Sequence, residues 1–343
     1  MKSLKKWLLP VLFLLILLVI VLLWTGWNHY SSLLYYVERG EESVSSTAVK
    51  PESGSANAPG QQALSAPDTE LQQERGVMNI MLIGVDNDYL GGINDLGNAD
   101  GLVLLSVNSN TRQLVMTSFM RDLYVSVPGF PNTKLTISYH WGGTSTLLDT
   151  LESNFGLVID NYVLVNYISV VDIVDALGGL DLELSAEEIY YMQDKINNGC
   201  YLVGRDAAEN ALRESQAGLV HLNGVQTAAY LRVRNAGNND FERTERARRV
   251  LSLILEKARG LSLSEMNDFA ETLLPCVTTD LTEGTILELL LKMPKILKYE
   301  LVSSRIPIDD SYYFANYYGS VVVPDYEVNR DYLYRLIYEG NAD

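Results

Sequence analysis

The spacing of hydrophobic and polar positions changes character several times along the chain, and each change marks an element. Residues 7–24 are an uncharged apolar run bounded by Trp7 and Trp24, with Trp27 just beyond. A run of that length with no polar face suits a bilayer-spanning helix rather than a half-buried core helix. From about 45 to 73 the composition shifts to Ser, Ala, Pro, Gly, Glu and Gln with almost no large apolar residues. Such a segment cannot bury enough surface to offset its ordering entropy, and it reads as a flexible tether. Three strand-like runs follow, over 79–85, 102–107 and 114–120. Each abuts a charged residue: the first stops at Asp86, the second follows Asn98-Ala-Asp100, and the third ends at Arg121-Asp122.

Further along, a short strand over 123–127 leads into a turn at Pro128-Gly-Phe-Pro131. The pattern then predicts a helix over 144–154, a strand over 161–166, a helix over 168–177 stopped by Gly178-Gly179, and a strand over 180–184. Ser185-Ala-Glu-Glu188 matches a capping box and opens another helix. Residues 197–218 are polar and read as a loop or short helices covering a cleft. His221-Leu-Asn-Gly224 caps a helix to Leu231, and Asp240 starts a long one to Arg259. The tail gives helices over 264–274, 282–297 and 328–338, with strands over 299–306 and 320–323. Strands alternating with helices predict one α/β domain, an α/β/α layered arrangement on a mixed central sheet. The expected division is a basic stub and transmembrane helix over 1–30, a tether over 31–77, and the folded domain over 78–343.

Charge orients this layout. Lys2, Lys5 and Lys6 precede the apolar run while Glu38, Glu41 and Glu42 follow it, so the N-terminus faces the cytoplasm and the domain lies outside. A cleaved signal peptide fits less well, because Thr25-Gly-Trp27 is a poor cleavage site and Ala56-Asn-Ala58 lies too far downstream. The chain is therefore expected to be a single-pass protein of the cell membrane. Cys200 and Cys276 suit an oxidising compartment, either as a pair or as two free thiols. A net charge of −17 argues against general binding to nucleic acid or anionic surfaces. Against that background a cluster of arginines stands out.

Arg232, Arg234, Arg243, Arg246, Arg248 and Arg249 fall within eighteen residues. Arg232 and Arg234 are two apart on an extended segment and share a face. In the helix from Asp240 the apolar stripe is Ala247, Val250, Leu251, Ile254 and Ala258. At about 100° per residue Arg243 falls at the edge of that inward face and Arg246 flanks it, whereas Arg248 and Arg249 point to solvent. Cations in the first turns of a helix oppose its dipole unless an anion sits between them. With Arg121 these side chains would make a bidentate cradle for phosphates; the plainer reading is a set of salt bridges with Glu242 and Glu245. Asp86 and Asp100 could both reach one sheet edge and hold magnesium with a substrate phosphate, or serve as turn and cap residues. There is no Gly-x-Ser-x-Gly elbow and no phosphate-binding Gly-Lys loop. His29, His140 and His221 have no evident Ser or Cys partner, and no Cys/His spacing fits zinc.

In order, the chain carries Asn79-Ile-Met-Leu-Ile-Gly-Val-Asp86, Asn98-Ala-Asp100, Ser118-Phe-Met-Arg-Asp122, Lys134-Leu135 and Tyr139-His-Trp-Gly-Gly143. Asp175-Ala-Leu-Gly-Gly179, His221-Leu-Asn-Gly224, Tyr230-Leu-Arg-Val-Arg234 and Asp240-Phe-Glu-Arg-Thr-Glu-Arg246 follow. This series resembles the LytR–CpsA–Psr family over 79–250, with a weaker likeness over 260–343. The resemblance implies a magnesium-dependent phosphotransferase of Gram-positive wall assembly. It would move a glycopolymer such as teichoic acid or capsular polysaccharide from a polyprenyl-pyrophosphate carrier to a peptidoglycan hydroxyl. It assigns magnesium to Asp86 and Asp100, and the pyrophosphate to Arg121, Arg232, Arg234, Arg243, Arg246 and Lys134. Asp122 and Asp240 become candidates for orienting arginines or acting as base, with an N-cap as the alternative for Asp240. The isoprenoid would lie in an apolar channel between sheet and helices. Two departures stand out: Asn98-Ala-Asp100-Gly101 replaces a common Arg-Ser-Asp-Thr, and Met120 replaces a proline. The rival functions are a non-catalytic polyprenyl-phosphate binder or regulator, and a polyprenyl pyrophosphatase.

Overall fold

The computed structural model describes residues 34–39, 70–86, 97–234, 240–317 and 319–341, together with Ser32. The expected transmembrane helix lies outside the described residues. Among them no helix is long and apolar enough to cross a membrane.

Short strand β1 (Tyr35–Tyr36) is followed by β2 (Val77–Val85), β3 (Ala99–Asn108), β4 (Gln113–Phe119), β5 (Tyr124–Val125) and β6 (Thr133–Lys134). Helix α1 (Leu135–Phe155), β7 (Asn161–Val165), α2 (Tyr167–Ala176), β8 (Leu180–Leu184) and α3 (Ala186–Val203) come next. After a single helical turn at Ala207–Asn210 the chain forms β9 (Gly218–Leu222), α4 (Gly224–Leu231), α5 (Asp240–Gly260) and α6 (Leu263–Leu273). It ends with β10 (Thr278–Thr279), α7 (Glu283–Ile296), β11 (Glu300–Ile306), β12 (Tyr312–Asn316), β13 (Ser320–Pro324) and α8 (Tyr326–Tyr334).

Seven strands build the central sheet in the order β1-β10-β7-β2-β3-β4-β11. β2 and β7 are parallel, as are β4 and β11, while β3 runs antiparallel to both β2 and β4. The sheet is therefore mixed, as the alternation predicted. The ends of β2, β4, β7 and β11 share one edge with the start of β3. In open α/β sheets that edge is where ligands bind.

The two faces of the sheet differ. On one, Met81, Ile83, Leu104 and Phe119 are fully buried against α1 and α8 in the main core. Leu82, Leu105, Val163 and Val165 face the other way and are only half-buried. α5 covers that second face, with its Leu255 in a cluster with Met78, Leu105 and Leu114. A separate core of α2, α3, α4 and the antiparallel β8–β9 pair flanks it, holding Tyr167, Leu180, Ile189, Met192 and Tyr230.

Local chemistry accounts for the helix starts. Ser185 and Glu188 form the expected capping box of α3, and Asn166–Ser169 and Asn223–Gln226 do the same for α2 and α4. Gly224 must be glycine, because a Cβ there would meet the Val171 carbonyl oxygen at 2.1 Å.

Several expectations are corrected. α1 starts at Leu135 rather than 144, because Gly142 and Gly143 only kink it, Gly143 taking φ 66°. Residues 197–203 are the end of α3, not a loop, so Cys200 is a buried helix residue. Both cysteines are free. The tether assigned to 31–77 also holds folded chain. β1 joins the sheet beside β10, Val37 N–H donates to the Thr279 carbonyl at 3.0 Å, and the Tyr162 hydroxyl donates to the Val37 carbonyl at 2.8 Å. Arg39 then pairs with Asp149 at 2.5 Å and Glu152 at 2.7 Å. These partners come from distant positions, so local composition could not reveal them.

Arg39 is the clamp on this docked segment. Replacing it by alanine should cost no more than about 1 kcal/mol globally, as for partly exposed ion pairs. Amide exchange at Val37 should nevertheless accelerate; unchanged exchange there would refute the clamp.

Candidate active site

Asp86 follows β2, Asp100 is the second residue of β3, and Arg121-Asp122 follow β4, so neighbouring strands bring all four to one edge. The loop after α4 brings Arg232 and Arg234, and the first turns of α5 bring Arg243.

Asp100 is the hub. One carboxylate oxygen accepts from Arg121 at 2.9 Å; the other accepts from Arg243 at 2.6 Å and Arg234 at 3.3 Å. Burial alone would push its pKa up, but the charges and hydrogen bonds of Arg243 and Arg121 prevail and hold it below the usual carboxylate value. Three guanidiniums on one carboxylate leave a surplus of positive charge. Arg243 is side-chain buried to 12% exposure, and its Nη1 has no hydrogen-bond partner. Burial, together with the neighbouring Arg121 and Arg234 charges, lowers the Arg243 pKa despite Asp100. A buried cationic N–H group without an acceptor is costly, and an anionic ligand relieves it.

A cavity of about 510 Å³ opens there, lined by Asp86, Asp100, Arg232, Arg234 and Arg243 on one side. Lys195, Asn198, Tyr201 and Leu202 of α3 close the other side. None of these four was a candidate site residue: Asn198, Tyr201 and Leu202 fall in the segment read as covering a cleft, and Lys195 precedes it; the helical continuation of the Ser185 capping box was the available signal. Arg232 lies 5.1 Å from the Tyr167 ring centroid, which fixes its direction. Beneath the carboxylates, Gly84 pairs with Gly101, and a Cβ on either would touch only the other's backbone, 3.6 Å away at the nearest. The sheet is thus bare next to the charged cluster.

Asp122 is buried, with Lys134 Nζ at 2.7 Å and Arg121 Nε at 3.6 Å. Lys134, expected on pyrophosphate, is thus the counter-ion of Asp122, and Asp122 orients Arg121. Asp240 opens α5, and its side chain lies outside the described residues.

Arg246 departs from the expected cradle. Only 2% exposed, it bonds Glu188 at 3.1 Å, Glu242 at 3.2 Å and the Val233 carbonyl at 3.1 Å. Three residues after Arg243, it is rotated by about 60° on the helix, enough to face the α3–α4 core instead of the cavity. Arg248, expected in solvent, donates to the Ser118 hydroxyl on the second face of the sheet. Arg249 keeps the surface role, pairing with Glu245 at 2.9 Å and donating to the Tyr230 hydroxyl.

Magnesium can be tested against the donors. Asp86 is exposed at the cavity and accepts the Asn98 backbone N–H at 2.5 Å. A carboxylate has about four acceptor positions, so Asp100 keeps one beyond its three guanidiniums. Two hard carboxylates are what magnesium takes when phosphate and water complete its shell, and the pair fits on that condition. Among the described residues no cluster of three or more Asp, Glu, His or Cys could hold a metal alone.

Fold and site together define an α/β protein built on a mixed sheet, with a cluster of guanidiniums at a cavity on the strand ends. The family model of the LytR_cpsA_psr family matches residues 39–333, and the chain belongs to that family. It is similar to the polyisoprenyl-teichoic acid–peptidoglycan teichoic acid transferase TagU of Enterococcus faecalis, 28% identical over 57% of this chain and 57% of the relative. The protein of the same name from Oceanobacillus iheyensis is 27% identical over 76% of each chain. Among solved structures, a LytR-CPS2A-psr family protein, YwtF (TagT), with bound octaprenyl pyrophosphate lipid shares the fold. Its TM-score is 0.55 at 21% identity, covering 79% of this chain and 94% of that one.

Two outcomes test this geometry. Arg246→Leu leaves Glu188 buried without its cation and should cost about 3 kcal/mol in urea denaturation. Arg243→Leu should cost less than about 1 kcal/mol yet abolish inorganic pyrophosphate binding by calorimetry, because Asp100 keeps two guanidiniums. The pH dependence has a defined sign: the folded-state pKa of Asp100 is depressed, so its contribution is fully present above the unfolded value of about 3.9. It is lost as pH falls through the lower folded value, and Asp100→Asn should remove that part of the acid transition.

Proposed function

We propose that this protein is a membrane-anchored transferase that moves an anionic glycopolymer from a polyprenyl-pyrophosphate carrier to peptidoglycan. The observation that carries the reading is the surplus of guanidinium charge around Asp100, with a buried Arg243 N–H group lacking an acceptor. Such a site suits a polyanion that arrives with its own charge. The relatives named as teichoic acid transferases support the substrate class.

In this reading Arg121, Arg232, Arg234 and Arg243 hold the two phosphates and stabilise the charge that develops as the bridging bond loosens. The acceptor hydroxyl oxygen bonds to the phosphorus bearing the polymer, the bond to the bridging oxygen breaks, and polyprenyl phosphate leaves. Asp240, at the start of the helix that carries Arg243, is proposed to take the hydroxyl proton. Asp122 and Lys134 act through Arg121 by fixing its direction. Asp86 and Asp100 would hold magnesium, which would neutralise phosphate charge when bound. The isoprenoid is proposed to lie over the bare Gly84–Gly101 patch and along the half-buried Leu82, Leu105 and Val163. A lipid there would complete burial that the protein leaves unfinished on that face.

Arg121→Ala and Asp100→Ala should each lower polymer transfer from a lipid-pyrophosphate donor by at least about a hundredfold. Wild-type-like transfer by both variants would rule out the transferase reading in favour of a lipid binder. Phosphate release with no acceptor present would favour a pyrophosphatase.

A further inference from the structure

β1 runs parallel to β10, and β10 runs antiparallel to β7, with Tyr35 level with Thr278 and Leu164. Leu164 is level with Ile83 of β2. The chain therefore enters the sheet from the same edge at which β2 and β7 end, the edge that carries Asp86, Asp100 and Arg121. Trp27 is eight residues before Tyr35. Eight residues span at most about 28 Å when fully extended. Arg39, Val37 and Tyr162 lock the docked segment, so a membrane helix ending near Trp27 holds this edge within that reach. In chain order the long polar segment follows the docked strand, so it does not lie between the apolar run at 7–24 and the sheet.

A second feature marks the same edge. β11 ends there at Ile306, level with Phe119 of β4, and the chain continues into the β12–β13 hairpin. Val322 N–H of the hairpin donates to the Asp122 carbonyl at 2.9 Å, and Val322 bridges Leu123. Residues 311–324 contain no Asp, Glu, Lys or Arg. Tyr313 is 54% exposed and Phe314 is 62% exposed. Phe314 is itself backed by the Tyr312 ring at 5.7 Å, and Tyr312 packs in turn on Phe241 at 5.4 Å. Phe241 is in the first turn of α5, next to the arginine of the site, and Arg305 stacks on it at 4.4 Å. Exposed tyrosine and phenylalanine on an uncharged hairpin suit the bilayer interface, where an aromatic ring has one apolar and one wet side.

We propose that the site edge of the sheet rests on the membrane, with Tyr313 and Phe314 of the β12–β13 hairpin seated in the lipid interface. This rests on the membrane-anchor reading above and deepens it. The hairpin and the short link from Trp27 hold the cationic cavity facing the bilayer, so a lipid-borne pyrophosphate reaches Arg243 without leaving the membrane surface. Tyr313 and Phe314 carry no charge, so the seating of the hairpin itself is apolar.

The test uses the full chain reconstituted in phosphatidylcholine vesicles, with an environment-sensitive fluorescent amino acid at Phe314 or, as a reference, at Leu71. Leu71 is 49% exposed and adjoins Gln72, which bridges Leu157 at the far edge of the sheet. The two edges are about 30 Å apart along β2. The Phe314 probe should shift to the blue and be quenched by brominated acyl chains, and the Leu71 probe should not. A water-like Phe314 spectrum untouched by brominated lipid overturns the proposal, whether or not the protein transfers polymer. In the activity arm, a Tyr313→Ser, Phe314→Ser double variant should lower turnover of a long-chain prenyl donor in vesicles about tenfold. Turnover of a water-soluble short-chain donor should stay the same. Equal loss on both donors would place an acceptor glycan, not lipid, on the hairpin and overturn the proposal. Absent transfer in the unaltered protein would sink the transferase reading and leave the quenching result to decide the seating.

Discussion

The site depends on one carboxylate shared among three guanidiniums. Asp100 draws Arg121 from the end of β4, Arg234 from the loop after α4, and Arg243 from α5. Without it those cations would repel one another across a half-buried space, and the approach of α5 to the sheet edge would lose its polar anchor. With it they converge but are not neutralised. The residual positive charge makes the cavity suited to phosphates, and it is a structural consequence of having fewer carboxylates than arginines at that point.

The second constraint is the sheet. Its first face is closed by α1 and α8, which supply the main core. Its second face meets α5 and is incompletely buried, and the glycine pair at its upper end removes the side chains that would fill the space beside Asp100. Apolar, half-covered surface of this kind is retained where something else completes it. The topology places this surface directly below the arginine cluster. One slot thus combines a cationic mouth with an apolar floor, as an amphipathic lipid phosphate requires.

Much of this was legible in the sequence, for identifiable reasons. β2, β3, β4, β11 and α5 were readable because apolar periodicity and flanking charges are local signals. Asp86, Asp100 and Arg121 were readable as one edge because each abuts an apolar run; Arg232 and Arg234 were read as an extended pair, whereas Arg232 is the helical C-cap of α4, with φ −93° and ψ −2°. Arg246 and Arg248 were misplaced because α5 is covered on more than one side. A helical wheel reports one stripe, whereas Arg246 meets a second core and Arg248 meets Ser118 on the sheet. β1 and β10 were missed because a strand of two residues carries no period to read, and β12 because Tyr312-Tyr-Phe-Ala-Asn316 lacks an apolar–polar alternation.

The sequence by itself determined the mixed α/β class, most of the longer elements in order, the helix start at the Ser185 capping box, and the residue types available for binding phosphate. Those are set by short-range spacing and by the chemistry of each side chain. Only the tertiary structure decided which arginines share Asp100, that Lys134 serves Asp122, and that α3 walls the cavity. Tertiary structure also set the edge at which the chain enters the sheet. These outcomes depend on strand order and helix rotation, which bring together residues as far apart as Asp100 and Arg243, and no local pattern encodes such a meeting.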